Sequence, residues 1–402
     1  MPLIQRVSYS EVPWGWLALT IALTGMGVSF VISACYDPGA AYGLGDEARK
    51  QLAWWGVSLI VCLMAMHVPF ALWRGLAVPL FFAGLGLELF MLVAAGTSVV
   101  PMIKGQANWL VLGPLRLQPV EFIKLATLLA CARLVSSPDF QPARLLHMAA
   151  ALGLAAFPSL LLARSDLGSA LTFPPMIFGM LLAMGMRLLH VAIIGIACVV
   201  LAVGSITVLT MDAKEGSSIR KVQESLLPRT GPKSYQYKRI MAWLNPDDYA
   251  LTEGYQTARS VRSIGSGQFM GKGYLEGDQN RLGWLPEKHT DLIFAVVGEE
   301  VGFLGSVLVL ALFLGFAWGG LHAAAMCRDP CGRALIIGYV CLIVGQCAIN
   351  LAVATGMMPV TGVTLPFFSY GGSSLLASHL GLGICLSAAL APRREQTRMG
   401  LG

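Results

Sequence analysis

Apolar residues run along this chain in blocks of about 17 to 25, the length a helix needs to cross a bilayer. Ten blocks occur, at 14–35, 51–68, 76–95, 119–136, 145–163, 169–186, 188–211, 303–326, 334–357 and 372–391. They predict an all-α polytopic membrane protein of ten transmembrane helices. The polar stretch 212–302 then forms a large loop between helices 7 and 8. The fourth block is the least typical, because it carries Glu121, Lys124 and Arg133. Pro79, Pro158, Pro174 and Pro175 fall inside blocks, where a kink must be supported by neighbouring helices. The first block has no A-x-A-like cleavage site and reads as an uncleaved helix. With no internal repeat, residues 1–402 read as one membrane domain with the 212–302 loop inside it.

Composition agrees with the pattern. Hydrophobic residues make up 56% of the 402 positions and charged residues only 12%, against about a quarter charged in soluble domains. An even number of spans puts both termini on one side. With the N-terminus inside, the cytoplasmic ends hold Arg6, Arg74, Arg133, Arg144, Arg187, Arg328, Arg333, Arg393, Arg394 and Arg398. The short outer loops hold only Arg49, Lys50, Lys104, Arg116 and Arg164. That bias predicts cytoplasmic termini and an extracytoplasmic 212–302 loop. The net charge of +6 speaks to topology and anionic lipid, not to nucleic acid. Cys327 and Cys331, in "CRDPC", read as spare thiols rather than a metal or redox pair, since no further Cys or His nearby completes a ligand set.

Ionisable residues at membrane depth are costly and are candidates for function. In "QPVEFIK", Glu121 and Lys124 share a helix face; they form either a site or a pair that neutralises itself. In "RSDLGSA", Asp166 is either a helix cap or a substrate contact. In "LPEKHTDLIFAVVGEEVG", Asp291 is either a first-turn residue favoured by the helix dipole or, with His289 and Glu287 beside it, a general base. Gln346 and Asn350 lie four apart on one face, toward another helix or a polar cavity. After them, "GMMPVTGVTLPFFSYGGSS" is irregular backbone rich in Pro and Gly, tolerated at membrane depth where it is buried or lines a cavity. The glycines of "IGSGQFMGKGYLEGDQNRLG" suit either a flexible outer loop or a backbone that approaches a ligand closely. No P-loop, H-E-x-x-H or G-x-S-x-G motif stands in a credible context. Nothing therefore points to ATP-driven transport or to zinc or serine hydrolysis.

Together "LQPVEFIKLA", "SDLGSAL", "LPEKHTDLIFAVVGEEVG" and "MMPVTGVTLPFFSYGGSSLL" resemble the SEDS family (shape, elongation, division and sporulation), from about Gly105 to Leu376. The stretch "GKGYLEGDQNRLGWLPEKHTD" is more similar to the RodA branch than to the FtsW branch. The resemblance implies ten helices with a large outer loop after the seventh, in the bacterial inner membrane. It implies a peptidoglycan glycosyltransferase that polymerises lipid II during cell-wall elongation, partnered by a class B penicillin-binding protein. The family's essential acidic residue falls on Asp291, its cavity pair on Glu121 and Lys124, and its Trp on Trp109. The sequence departs from the family pattern at Asn108, Val120, Arg164 and Arg259.

On this reading Asp291 is the catalytic base. The substrate-binding candidates are Glu121, Lys124, Trp109, Asp166, His289, Gln346, Asn350, Ser369 and Ser373. A divalent cation, Mg or Mn, could help to hold the diphosphate, with no nucleotide or organic cofactor. Two other readings fit the same charges: a flippase for the lipid-linked precursor, and a non-catalytic scaffold for a transpeptidase.

Overall fold

A computed structural model describes residues 9–103, 106–113, 115–163, 165–211, 234–249 and 251–391. Of the residues named above, Arg6, Lys104, Gly105, Arg164, Arg393, Arg394 and Arg398 lie outside the described residues, as does 212–233 of the long loop.

Every predicted block is helical. The helices are α1 (Trp14–Ala34), α2 (Asp46–His67), α3 (Phe70–Val93), α4 (Pro119–Val135), α5 (Leu145–Leu162), α6 (Leu167–Ala170), α7 (Phe173–Ala183) and α8 (Leu188–Thr210). They continue with α9 (Ser234–Leu244), α10 (Tyr255–Ser266), α11 (Asp278–Arg281), α12 (Ile293–Met326), α13 (Pro330–Ala354) and α14 (Gly372–Ala389). Among the described residues six are long and apolar enough to cross a membrane: α1, α3, α5, α12, α13 and α14. A short antiparallel hairpin, β1 (Leu110–Leu112) and β2 (Leu115–Leu117), pairs Val111 with Arg116 ahead of α4.

The helices pack around one apolar core, with α14 against α2, α13 against α7 and α12, α3 against α4, and α1 against α12. Trp16, Phe316, Tyr339 and Phe367 form its aromatic centre, with ring centroids 5.4–6.4 Å apart. Leu188, Leu189, Ile193 and Ile196 of α8 remain largely exposed. An apolar face of that size is stable only where lipid or another protein covers it.

Two predicted boundaries are corrected. The 169–186 block is not one helix: it breaks after Ala170, and Pro174 and Pro175 fall in the first turn of α7. There the missing proline N–H costs nothing, so these prolines start a helix and do not kink one. The 303–326 block begins earlier, at Ile293, and α12 is interrupted at Gly302 (φ 64°, ψ −157°), a conformation open to glycine and strained for other residues. The break releases backbone groups that must find partners. The glycine-rich stretch supplies them. The N–H groups of Lys272 and Gly273 donate to the carbonyls of Glu299 and Glu300 at 3.0 and 2.9 Å, and those of Phe303 and Leu304 donate to Gln268 and Phe269 at 2.9 and 3.2 Å. The close approach anticipated for those glycines is thus to the chain's own broken helix.

Candidate functional site

Residues 359–371, between α13 and α14, have no regular secondary structure apart from turns. Their backbone groups are held in part by side chains of α13 and α2. On α13, Gln346 Nε2 donates to the Thr364 carbonyl at 3.1 Å, and Asn350 Nδ2 donates to the Val363 carbonyl at 2.7 Å. One helical turn thus reads two successive carbonyls. On α2, Gln51 gives Nε2 to the Ser369 carbonyl (3.1 Å) and accepts from the Gly371 N–H (3.3 Å). Ser369 Oγ accepts from Leu365 N (2.9 Å), and Ser373 Oγ accepts from Gln118 N (3.0 Å), which ties the start of α4 to the start of α14. The Tyr370 N–H donates to the His289 carbonyl (2.8 Å), and the two rings meet edge to face at 5.4 Å.

The candidate residues gather on this segment. Lys124 Nζ lies 2.9 Å from Glu121 Oε1 and donates to Gln346 Oε1 at 3.0 Å, with both charged side chains buried. Asn350, one turn along, donates to the Asp291 carbonyl at 2.8 Å as well as to Val363. Asp291 is not a first-turn residue: α12 starts at Ile293 with Leu292 as its cap. Its carboxylate instead lies against Gly362 (φ 80°), whose open face leaves Oδ2 3.8 Å from where a Cβ would stand. Asp166 is the cap of α6, accepting from Ser169 N at 2.9 Å and Ser169 Oγ at 2.8 Å. The turn it starts presses Gly168 onto Thr361, so Asp166, the 361–364 segment, Asp291 and the Lys124 pair form one connected unit. Trp109 precedes β1 and follows Asn108, whose Nδ2 donates to Gln106 Oε1 at 3.1 Å.

At Gly168 a Cβ would fall 2.6 Å from the Thr361 carbonyl oxygen, a backbone atom. Gly168→Ala should therefore push the Thr361 segment away from α6 and cost about 1–3 kcal/mol, as overpacking does. Thermal unfolding of the purified protein measures this, and an unchanged midpoint would contradict the packing.

The carboxylates of "GEE" have another task. Glu299, fully buried, accepts from Lys272 Nζ (2.9 Å), Gln279 N (2.9 Å), Asn280 N (3.3 Å) and Ser263 Oγ (3.1 Å). Glu300 accepts from Ser33 Oγ and from Asn280 Nδ2 (3.0 Å). Both hold the glycine-rich stretch on α12. Burial lowers the Lys272 ammonium, but its bonds to Glu299 and Asp278 outweigh this and raise it above the ordinary lysine value. Burial pulls Lys288 down, with Cys35 and Glu300 opposing; its Nζ donates to the Asn280 carbonyl at 2.7 Å. The Arg259 guanidinium lies over the rings of Tyr255 and Trp284 at 5.0 and 5.2 Å.

Sequence reasoning passed over three residues here. Glu88, 3% exposed within α3, lines a small pocket with Asn108, Ser165 and Asp166. A lone carboxylate in an apolar block was the signal for it. Gln51 carried a similar, weaker signal. Thr361 carried none.

The family model FTSW_RODA_SPOVE, described as "Cell cycle protein", matches residues 15–394. A Trichlorobacter lovleyi protein named probable peptidoglycan glycosyltransferase FtsW is 33% identical over 384 residues, covering 92% of this chain and 91% of its own. Peptidoglycan glycosyltransferase MrdB (RodA) of Escherichia coli K12 is 32% identical over 350 residues, covering 87% and 86%. A solved chain described under "Structural coordination of polymerization and crosslinking by a peptidoglycan synthase complex" superposes with a TM-score of 0.73 at 30% identity, covering 94% of this chain and 97% of its own. The two curated relatives, named for different branches, are almost equally similar.

Proposed function

The chain belongs to the FtsW/RodA/SpoVE family and is an enzyme of the peptidoglycan glycosyltransferase class, and from that premise we propose that it polymerises lipid II with Asp291 as general base. The observation that carries this is the connected unit of Asp291, Asn350, Gln346, Lys124 and Glu121 around the 361–364 segment.

Asp291 takes the proton from the 4-hydroxyl of the acceptor's terminal GlcNAc. That oxygen attacks C1 of the donor MurNAc, the C1–O bond breaks with inversion, and undecaprenyl diphosphate leaves with the bonding pair. The leaving group is already anionic, so stabilising its charge matters more than protonating it. One carboxylate therefore suffices, unlike the pair used in glycoside hydrolysis. Lys124 supplies positive charge; Glu121 and Gln346 fix its position. Asp166, His289, Ser369 and Ser373 shape the site through the backbone they hold, and Trp109 is assigned to the sugar. A divalent cation, Mg or Mn, would help to hold the diphosphate on the substrate's own oxygens; among the described residues no group of three or more His, Cys, Asp or Glu stands ready to hold one.

The same reading sets the chain in the inner membrane as a single domain. It has ten spanning helices, both termini in the cytoplasm, and the 212–302 loop outside after the seventh span. A class B penicillin-binding protein is its partner; the synthase complex of the matched solved chain supports this. The 271–291 stretch favours cell elongation.

Purified protein, with and without such a partner, given labelled lipid II should yield long glycan. Translocation without polymer would favour a flippase, and neither product a scaffold.

A further inference from the structure

Asp291 stands in a turn that closes on Glu287: the N–H groups of Thr290 and Leu292 both donate to the Glu287 carbonyl at 3.2 Å. Two other main-chain oxygens of the turn are pinned from outside it. Asn350 Nδ2 holds the Asp291 carbonyl, and the Tyr370 N–H holds the His289 carbonyl, each at 2.8 Å. The Tyr370 and His289 rings also meet edge to face. A turn pinned at two points takes its direction from both. Where the Tyr370 N–H stands therefore decides how the Asp291 carboxylate is aimed.

That N–H is set from α2. Gln51 is fully buried, its Nε2 donates to the Ser369 carbonyl, and its Oε1 accepts from the Gly371 N–H. The Ser369 C=O and the Tyr370 N–H are the two ends of one trans peptide plane and point opposite ways. Gripping the oxygen from α2 thus aims the N–H at His289, and the second bond, to Gly371, keeps the plane from rotating. A neutral amide suits this place because it presents a donor and an acceptor side by side. With both ends bonded it is buried without the penalty of an unmade hydrogen bond. Farther along α2, the Trp54 indole lies so close to Gly372 that no Cβ would fit between them. Gln51 and Trp54 together give residues 369–372 one seat on α2.

We propose that Gln51 is a positioning residue for the Asp291 base, acting through the 369–370 peptide plane and the His289 carbonyl. The inference rests on the reading of Asp291 as the base, and it extends the site to a helix that contributes no group to the chemistry.

The test is steady-state polymerisation of labelled lipid II by purified full-length variants, with rates counted per folded protein. Gln51→Met keeps the volume and loses both bonds. It should lower kcat about 10- to 100-fold, the scale of a misplacement of about 1 Å, and leave KM nearly unchanged. Gln51→Glu gives a readout that packing alone would not move. A protonated carboxyl offers an O–H and a C=O where the amide offers its two ends, whereas the ionised form has no donor for the Ser369 carbonyl. The rate of this variant relative to wild type should therefore climb as pH falls, and it serves as the readout if Gln51→Met unfolds. In an Asp291→Asn background, Gln51→Met should add little, because the group it aims is already gone. Wild-type kcat in folded Gln51→Met would overturn the proposal. So would a flat pH ratio for Gln51→Glu, or a full further loss in the Asp291→Asn background. Asp291→Asn working at the wild-type rate would instead remove the base, whatever the Gln51 variants do, so the two failures give different results.

Discussion

Asp291→Asn is expected to slow glycan polymerisation by about 10²–10⁴-fold, the contribution of a positioned general base. The substitution is close to isosteric, and the bond from Asn350 goes to the residue's main-chain carbonyl and not to its carboxylate. The loop and its contacts should therefore survive, and what is lost is the ability to accept a proton. Product length and rate from labelled lipid II, at matched amounts of membrane-inserted protein, give the measurement. Polymer formed by the variant at the wild-type rate would remove Asp291 from the chemistry.

Glu299→Ala should produce the largest loss of stability, about 3–5 kcal/mol, the range for breaking a buried ion pair by removing one partner. Four donors, from Lys272, Gln279, Asn280 and Ser263, would lose their shared acceptor inside the protein. The α12 break at Gly302 would then lose the stretch that satisfies it. Because the Lys272 pKa is raised, its share of this stability is complete below the ordinary lysine value of 10.5 and fades only as pH climbs through the raised one. Thermal unfolding at neutral pH is thus the right assay, and a midpoint within a degree or two of wild type would refute the network.

Both effects trace to one acidic stretch, and the sequence could not separate them. Asp291, Glu299 and Glu300 all stand beside an apolar block, where a carboxylate looks alike whether it reacts or braces. What distinguishes them is the partners, and these come from Ser33 and from residues 263–280, too far along the chain for local spacing to reveal. Helices were legible because bilayer length leaves a plain mark on composition. The break after Ala170 was not, since Leu171 and Thr172 keep the apolar run going while the turn is set by Asp166. The Glu121–Lys124 pair followed from helical spacing alone. That Gln346 would meet Lys124, and Asn350 meet Asp291, followed from no local rule.

The amide NH₂ groups of Gln346 and Asn350 donate to main-chain oxygens, and this carries an evolutionary consequence. Residues 363 and 364 are thus held through the main chain as well as through the buried Val363 side chain and the Thr364–Ser374 hydroxyl pair. Inserting or deleting a single residue there would slip the whole strap by about 3.3–3.6 Å, detaching both amides together. Relatives should accordingly show no gaps at these positions.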